Sequence, residues 1–240
     1  FGDLYARFRT SRLEKAAARL SRFIVLTKSD RKDWEKVVPN VTSIYNPLTF
    51  KSDRVAELQN RRCIAIGRLE PQKNFKDLVT AWVDVDKRFP DWRLEIYGKG
   101  HQEKALRKQI DQNGLTGKVL LMGSSDDIRG KMLESSCLVM SSAYEGFPMV
   151  LLEAVETGLP MVSYDCPKGP SEIIIDGESG FLVRPGDTAA LSRRICDVIG
   201  DGELRKRFGE RAKRSSAEFS IELIMSQWKE LFEGLVKKQR

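Results

Sequence analysis

From Arg62 onward, short apolar runs alternate with longer stretches of helical character, and few folds tolerate that pattern. The apolar runs are Cys63 to Ile66, Arg93 to Tyr97, Val119 to Met122, Leu138 to Met140, Met161 to Tyr164 and Phe181 to Val183. Between them lie Phe75 to Phe89, Gln102 to Gln112, Ile128 to Glu134, Pro148 to Thr157 and Ser171 to Ile175, where apolar residues fall at helical spacing. Strands this short and this apolar are buried on both faces, and the helices joining them are crossover connections. The expectation is an α/β domain built on a Rossmann-like, doubly wound parallel sheet. Ligands of such sheets sit beyond the carboxyl ends of the strands, so the loops leaving those ends hold the candidate site.

The most informative loop follows the fourth run, in SSAYEGFPMVLLEAVET from Ser141 to Thr157. Proline suits a first helical turn, because its fixed φ matches the helix and its missing N–H has no partner there, so a helix is expected from near Pro148. The unpaired N–H groups and partial positive charge of that terminus suit an anion such as a diphosphate. Glu145 precedes the helix, and Glu153 lies roughly 7 to 8 Å along its axis from Pro148. Taken alone, the spacing favours a plainer reading, in which Glu145 only complements the helix dipole and Glu153 and Glu156 are solvated. The first loop, GRLEPQKNF from Gly67 to Phe75, adds Arg68 and Lys73. One helix terminus contributes only about 0.3 to 1 kcal/mol toward an exposed anion, so a diphosphate needs such cations as well. The second loop carries Gly98-Lys99-Gly100, a weak dinucleotide signal because Glu103 replaces the third glycine, with His101 beside it as a surface histidine. The third, LMGSSDDI, is a Gly and Ser turn before a helix expected to be capped by Ser125 or Asp126.

The stretch EGFPMVLLE resembles the signature of two glutamates separated by seven residues in the family 4, or group 1, glycosyltransferases of GT-B fold, with matches at Glu145, Gly146, Phe147 and Glu153. The first loop resembles the same family's G-R-L-x-x-x-K-G element, with Asn74 where glycine is common, and Gly169, Pro170 and Glu172 match its G-x-x-E-I-I segment. The resemblance runs from about Arg22 to the C-terminus. It implies that Arg68 and Lys73 hold the donor phosphates, Glu145 the donor sugar and Glu153 the ribose. Gly67, Gly98, Gly146, Phe147, Pro148 and Met149 would line the donor, and backbone groups at Gly123 and Ser124 would read the base. It further implies a retaining transfer of a hexose, from a UDP-hexose, to a hydroxyl of a glycan or lipid-linked glycan in bacterial surface-polysaccharide synthesis, with no metal or other cofactor.

On that reading, residues 1–46 are the remnant of an N-terminal, acceptor-side domain and 47–61 an interdomain linker. Residues 62–218 are the nucleotide-sugar domain, opened late by a helix capped at Asp187, and 219–240 a helix crossing back to the N-terminal domain. That helix presents Ile221, Ile224, Trp228, Leu231, Phe232 and Leu235 on one face. The 240 residues open at Phe1 without Met, so the chain is expected to be a piece of a longer one that alone only binds donor. A helix over residues 1–20, basic between its apolar positions, reads as an ordinary surface helix ahead of one lying on an anionic membrane. The net charge of +7 without any nucleic-acid motif favours anionic ligands or membrane over nucleic acid. Four cysteines without C-x-x-C spacing read as reduced, placing the protein in the cytoplasm, with a peripheral membrane contact at most. No run of eighteen apolar residues occurs, and a single histidine argues against a His-based metal site. Two competitors stay open: a non-catalytic nucleotide-sugar-binding module, and a glycoside hydrolase using the carboxylate pair.

Overall fold

The computed structural model describes residues 13–237, which fall into two compact units. The larger is Leu48–Glu218. Its six strands are β3 (Arg62–Ile66), β4 (Arg93–Tyr97), β5 (Val119–Gly123), β6 (Cys137–Met140), β7 (Met161–Tyr164) and β8 (Gly180–Val183). All pair in parallel, in the order β5-β4-β3-β6-β7-β8. This is the doubly wound arrangement expected from the alternating pattern, the order in which the first strand of the sheet lies next to the fourth. The central runs carry no polar side chain inward or outward because both faces are covered: Cys63, Ile64, Ala65 and all of β6 are buried.

Helices α2 (Phe75–Arg88), α3 (Glu103–Gln112) and α7 (Thr188–Gly200) pack together, α2 lying between the other two. Helix α2 buries Phe75, Leu78, Val79, Ala81, Trp82 and Val85, a helical stripe. Helices α4 (Ile128–Leu133), α5 (Met149–Thr157) and α6 (Pro170–Ile173) form a second group, with α8 (Gly202–Ser215) against α5. Asp187 caps α7 as expected, accepting from the Ala190 N–H at 2.7 Å. Helix α4 departs from expectation: its cap is Asp127, which accepts from Gly130 N at 2.8 Å, while Ser125 Oγ instead accepts from the Asp127 N–H at 3.1 Å. The helix starts at Ile128 as the pattern expects, so the cap falls to the residue directly before it, Asp127.

Residues 48–61 contain no regular element and run along this unit, Ala56 N donating to Thr157 O at 2.8 Å. They are held by a buried charge. Glu156 of α5 is 4% exposed, and its Oε1 accepts from Ser52 N at 2.7 Å and pairs with Lys213 Nζ of α8 at 2.7 Å. Lys213 Nζ also donates to Ser52 O at 3.0 Å and Glu156 O at 2.8 Å. Glu156 is therefore a structural clamp, not a solvated acid.

The smaller unit comprises the described residues up to Pro47 and from Phe219 onward. Strands β1 (Phe23–Val25) and β2 (Val41–Ser43) pair in parallel around α1 (Lys28–Trp34), which Thr27 caps. Of the expected opening helix, residues 13–17 are helical and residues 1–12 lie outside the described ones. In α9 (Ile221–Lys237), Ile224 is buried and Trp228, Leu231 and Leu235 are partly buried, a stripe at i, i+4, i+7 and i+11. Ile221 and Phe232 fall off it, at 48% and 57% exposed, because they sit beside the stripe.

Candidate functional site

Strands β3 and β6 are neighbours, yet the chain leaves β3 toward β4 and leaves β6 toward β7, in opposite directions. A crevice opens beyond their carboxyl ends at such a switch point. The β3 loop enters it through Gly67, Arg68 and a 3-10 turn, Pro71–Lys73; the β6 loop brings Ser141 to Pro148. Four polar contacts staple the two. Ala143 N donates to Gln72 O at 2.8 Å, Gln72 Nε2 to Tyr144 O at 3.0 Å and Ser141 Oγ to Lys73 O at 3.0 Å. Lys73 Nζ then meets Glu145 Oε1 at 2.6 Å, with side chains only 18% and 8% exposed. Two residues assigned to different parts of a ligand are thus each other's partner. Gln72 and Ser141 carry no motif, and only the strand order makes them neighbours.

Asn74 explains its own departure from the glycine-bearing pattern. It ends the 3-10 turn and starts α2 with φ 48° and ψ 40°, the left-handed region that asparagine tolerates best after glycine. The stem of Lys73 lies over Gly67, where a Cβ would come within 3.0 Å of it. Gly98 is stricter: with φ +145° its Cβ would fall 1.8 Å from Gly67 O. The loops after β3, β4 and β5 are joined by Gly67 N to Tyr97 O at 2.9 Å and Gly98 N to Gly123 O at 2.7 Å. A bulge after Ile96 skips Met122 and pairs Tyr97 with Gly123, leaving Met122 exposed and Gly123 at φ 73°. Ser124 is exposed beside it. Arg68 is exposed and its guanidinium makes no hydrogen bond or ion pair with any described residue. Lys99, exposed in the Gly-Lys-Gly turn, reaches toward Gly123 and adds a cation that the motif reading left out. His101 pairs with Glu70 at 2.5 Å.

Helix α5 begins at Met149, with Pro148 as its extended cap residue at φ −75° and ψ 96° rather than in its first turn. Pro148 is fixed from outside, for Gly169 at φ +114° would place a Cβ 2.4 Å from Pro148 Cδ. Phe147 is buried, whereas Gly146 is exposed with open space where a side chain would be. The carboxylate of Glu153, half-buried in α5, has no hydrogen bond or ion pair with any described residue. Burial pushes its carboxyl above the usual range, and the Arg129 guanidinium opposes the rise. Cys166 lies near the Lys73–Glu145 pair. Burial, then the Glu145 charge, push its thiol up to about 12, which leaves it protonated and unreactive. All four cysteines are buried and free. Among the described residues no group of three His, Cys, Asp or Glu could hold a metal ion, and no helix is long and apolar enough to cross a membrane. A cavity of about 730 Å³ between Val55, Leu58, Gly158 and α8 lies apart from this crevice.

Fold and crevice together define an open α/β domain whose switch point gathers cations and a helix N-terminus. Its family follows from the sequence as a whole. The chain belongs to the glycosyl transferases group 1, whose family model matches residues 50–215. It is 34% identical over 228 residues to an exopolysaccharide phosphotransferase of Streptomyces coelicolor, covering 93% of this chain and 24% of that one. Against an amylovoran biosynthesis glycosyltransferase of Erwinia amylovora it is 34% identical over 197 residues, 81% of this chain and 55% of that one. The chain therefore spans roughly a quarter to a half of these relatives' lengths. Among solved structures, S. aureus TarM in complex with fondaparinux, alpha-GlcNAc-glycerol and UDP superposes with a TM-score of 0.86 at 24% identity, over 93% of this chain and 46% of that one. Anabaena HepE in complex with UDP gives 0.82 at 22% identity, over 91% and 65%. These likenesses establish the Rossmann-like half of a GT-B fold.

Proposed function

We propose that this chain is the donor-binding part of a retaining glycosyltransferase that moves a hexose from a UDP-hexose to a hydroxyl of a glycan or lipid-linked glycan. The setting we infer is bacterial surface-polysaccharide synthesis on the cytoplasmic side, where four reduced cysteines are at home. The observation that carries the reading is the Lys73–Glu145 pair at 2.6 Å, spanning the switch-point crevice below the start of α5.

As the glycosidic bond breaks, negative charge gathers on the leaving diphosphate. Unpartnered Arg68 offers a forked contact to it, Lys73 a point charge once a phosphate oxygen replaces Glu145, and the backbone N–H groups at Phe147 to Met149 the helix terminus. Donors fixed beforehand in this way can meet that charge without a divalent metal. Glu145, released from Lys73, turns its carboxylate to hydroxyls of the sugar. Glu153 accepts from the ribose hydroxyls, consistent with a half-buried acid that has no partner of its own. Gly98 and Gly123 let the backbone approach the nucleotide closely, and Ser124 faces the base. The retaining outcome and the hexose rest on the family resemblance, as does the acceptor domain that this chain would need beside it.

The test is calorimetric titration with UDP, GDP and ADP in EDTA. UDP-selective binding that Glu153→Gln weakens about tenfold is expected from the loss of a charged hydrogen bond. Equal binding of all three nucleotides, or dependence on added Mg²⁺, would sink the assignment.

A further inference from the structure

A groove runs between the edge strand β8 and one face of α7, enclosing a cavity of about 430 Å³. Ala190, Arg193, Arg194 and Asp197 line it from α7, at the i, i+3, i+4 and i+7 positions of a stripe running about 10 Å along the helix axis. Leu182 and Arg184 line it from β8 and the loop that follows, and Arg88 from the end of α2. Four guanidiniums therefore share one concavity with a single carboxylate. That carboxylate is taken, for Asp197 pairs with Arg194 at 3.2 Å. Arg194 also lies over the Phe181 ring at 4.3 Å, and Phe181 packs edge-on against Phe208 at 5.1 Å, so this cation is fixed in place. Arg88, Arg184 and Arg193 are exposed, and their guanidiniums make no hydrogen bond or ion pair with any described residue. Arg88 also borders the next concavity, of about 510 Å³. There Arg61 pairs with Asp91 at 2.5 Å and Arg205 donates to the carbonyls of Leu58, Val198 and Ile199. The unpaired charge thus gathers in the β8–α7 groove.

Like charges without acceptors repel one another, whereas a cleft of one sign draws anions into it. Each guanidinium presents a planar fork of N–H donors that fits two oxygens of a phosphate. A phosphate has oxygens enough for more than one fork, and a chain of phosphates can follow an elongated groove where a single ion would fill one end. None of the large apolar side chains exposed among the described residues lies in the groove, and surfaces that rest on a bilayer insert such side chains. We propose that the β8–α7 groove is a second anion site, which takes a linear, phosphate-bearing chain. It lies two strands along the sheet from β6, shares no residue with the donor crevice and does not depend on the donor reading.

The test titrates long-chain polyphosphate, tripolyphosphate and inorganic phosphate into wild type and two double variants. Arg184→Gln with Arg193→Gln alters the groove, and Lys104→Gln with Lys108→Gln removes the same charge from exposed positions of α3. Wild type should bind the long chain with a slope of about 2 in log Kd against log salt, from three unpaired guanidiniums at about 0.7 each as for single-stranded nucleic acid. The groove variant should bind it about tenfold more weakly, with the slope reduced to about 0.7, while keeping its Tm and its UDP affinity. The α3 variant should match wild type, and inorganic phosphate should bind far more weakly than either chain. Equal losses in the two variants would assign the binding to net charge alone, and displacement of polyphosphate by UDP would place it in the donor crevice. Inorganic phosphate binding as tightly as the chains would leave a single-ion site. Each of these overturns the proposal, as does a groove variant that releases phosphatidylglycerol vesicles but binds polyphosphate unchanged. Wild type that binds no UDP while the groove variant still loses polyphosphate would refute the donor reading alone.

Discussion

Replacing Lys73 by Met should do two separate things, and the structure gives the size of the first. Lys73 neutralises Glu145 at 2.6 Å, with side chains 18% and 8% exposed. Breaking a fully buried pair by removing one partner costs about 3 to 5 kcal/mol, because the other charge is stranded. Solvent still reaches the Lys73 end, so the cost here is about 2 to 3 kcal/mol. For a chain of this size that is roughly 4 to 12 °C in Tm. The double change Lys73→Met with Glu145→Gln strands no charge and should cost under about 1 kcal/mol. Both proteins should lose UDP affinity, the double variant while remaining well folded. Urea unfolding followed by tryptophan fluorescence at pH 7.5, with UDP titrations on the same samples, measures both effects. The reasoning fails if Lys73→Met costs less than about 0.5 kcal/mol, or if the double variant is no more stable than the single one. A consequence is that loss of UDP binding in a Lys73 single variant cannot by itself be assigned to a missing phosphate contact.

Lys213→Met should strand Glu156 in the same way and loosen residues 48–61 from α5, at a cost of about 2 to 4 kcal/mol at pH 8. Burial alone would raise the Glu156 carboxyl, but Lys213 and the Ser52 N–H outweigh it and hold the group below its ordinary value. A lowered native value gives stability that is present above the unfolded value and lost as pH falls through the native one. In the variant the uncompensated carboxyl gains stability by taking up a proton, so thermal melts should show the gap to wild type closing from pH 8 to pH 5; a constant gap would refute the clamp. Gly98→Ala, whose Cβ would lie 1.8 Å from Gly67 O, should cost at least about 2 kcal/mol in denaturant melts. Gly177→Ala, at φ +75° with open space, should cost only about 1 kcal/mol by the same assay, and equal losses would refute the close-approach argument.

Much of this was legible along the chain because it is local. Burial on both faces makes a strand read as an unbroken apolar run, and β3 through β8 fall within a residue or two of the runs from Cys63 to Val183. Asp187 caps α7 because a carboxylate three residues ahead of a free N–H needs nothing distant. The pattern Gly67 to Lys73 and the spacing of Glu145 and Glu153 are local too, so the candidate residues could be named before their surroundings were known. What the sequence could not contain is who faces whom across the crevice. Strand order sets β3 against β6, and so joins Lys73 to Glu145 and Gln72 to Tyr144 over seventy residues of chain. The same holds for Glu156, which reads as a solvated acid until α8 brings Lys213 to it. A side chain's type and spacing fix what chemistry it can do, but burial and the charge beside it fix what it does, and both are properties of the packed sheet and helices rather than of the chain.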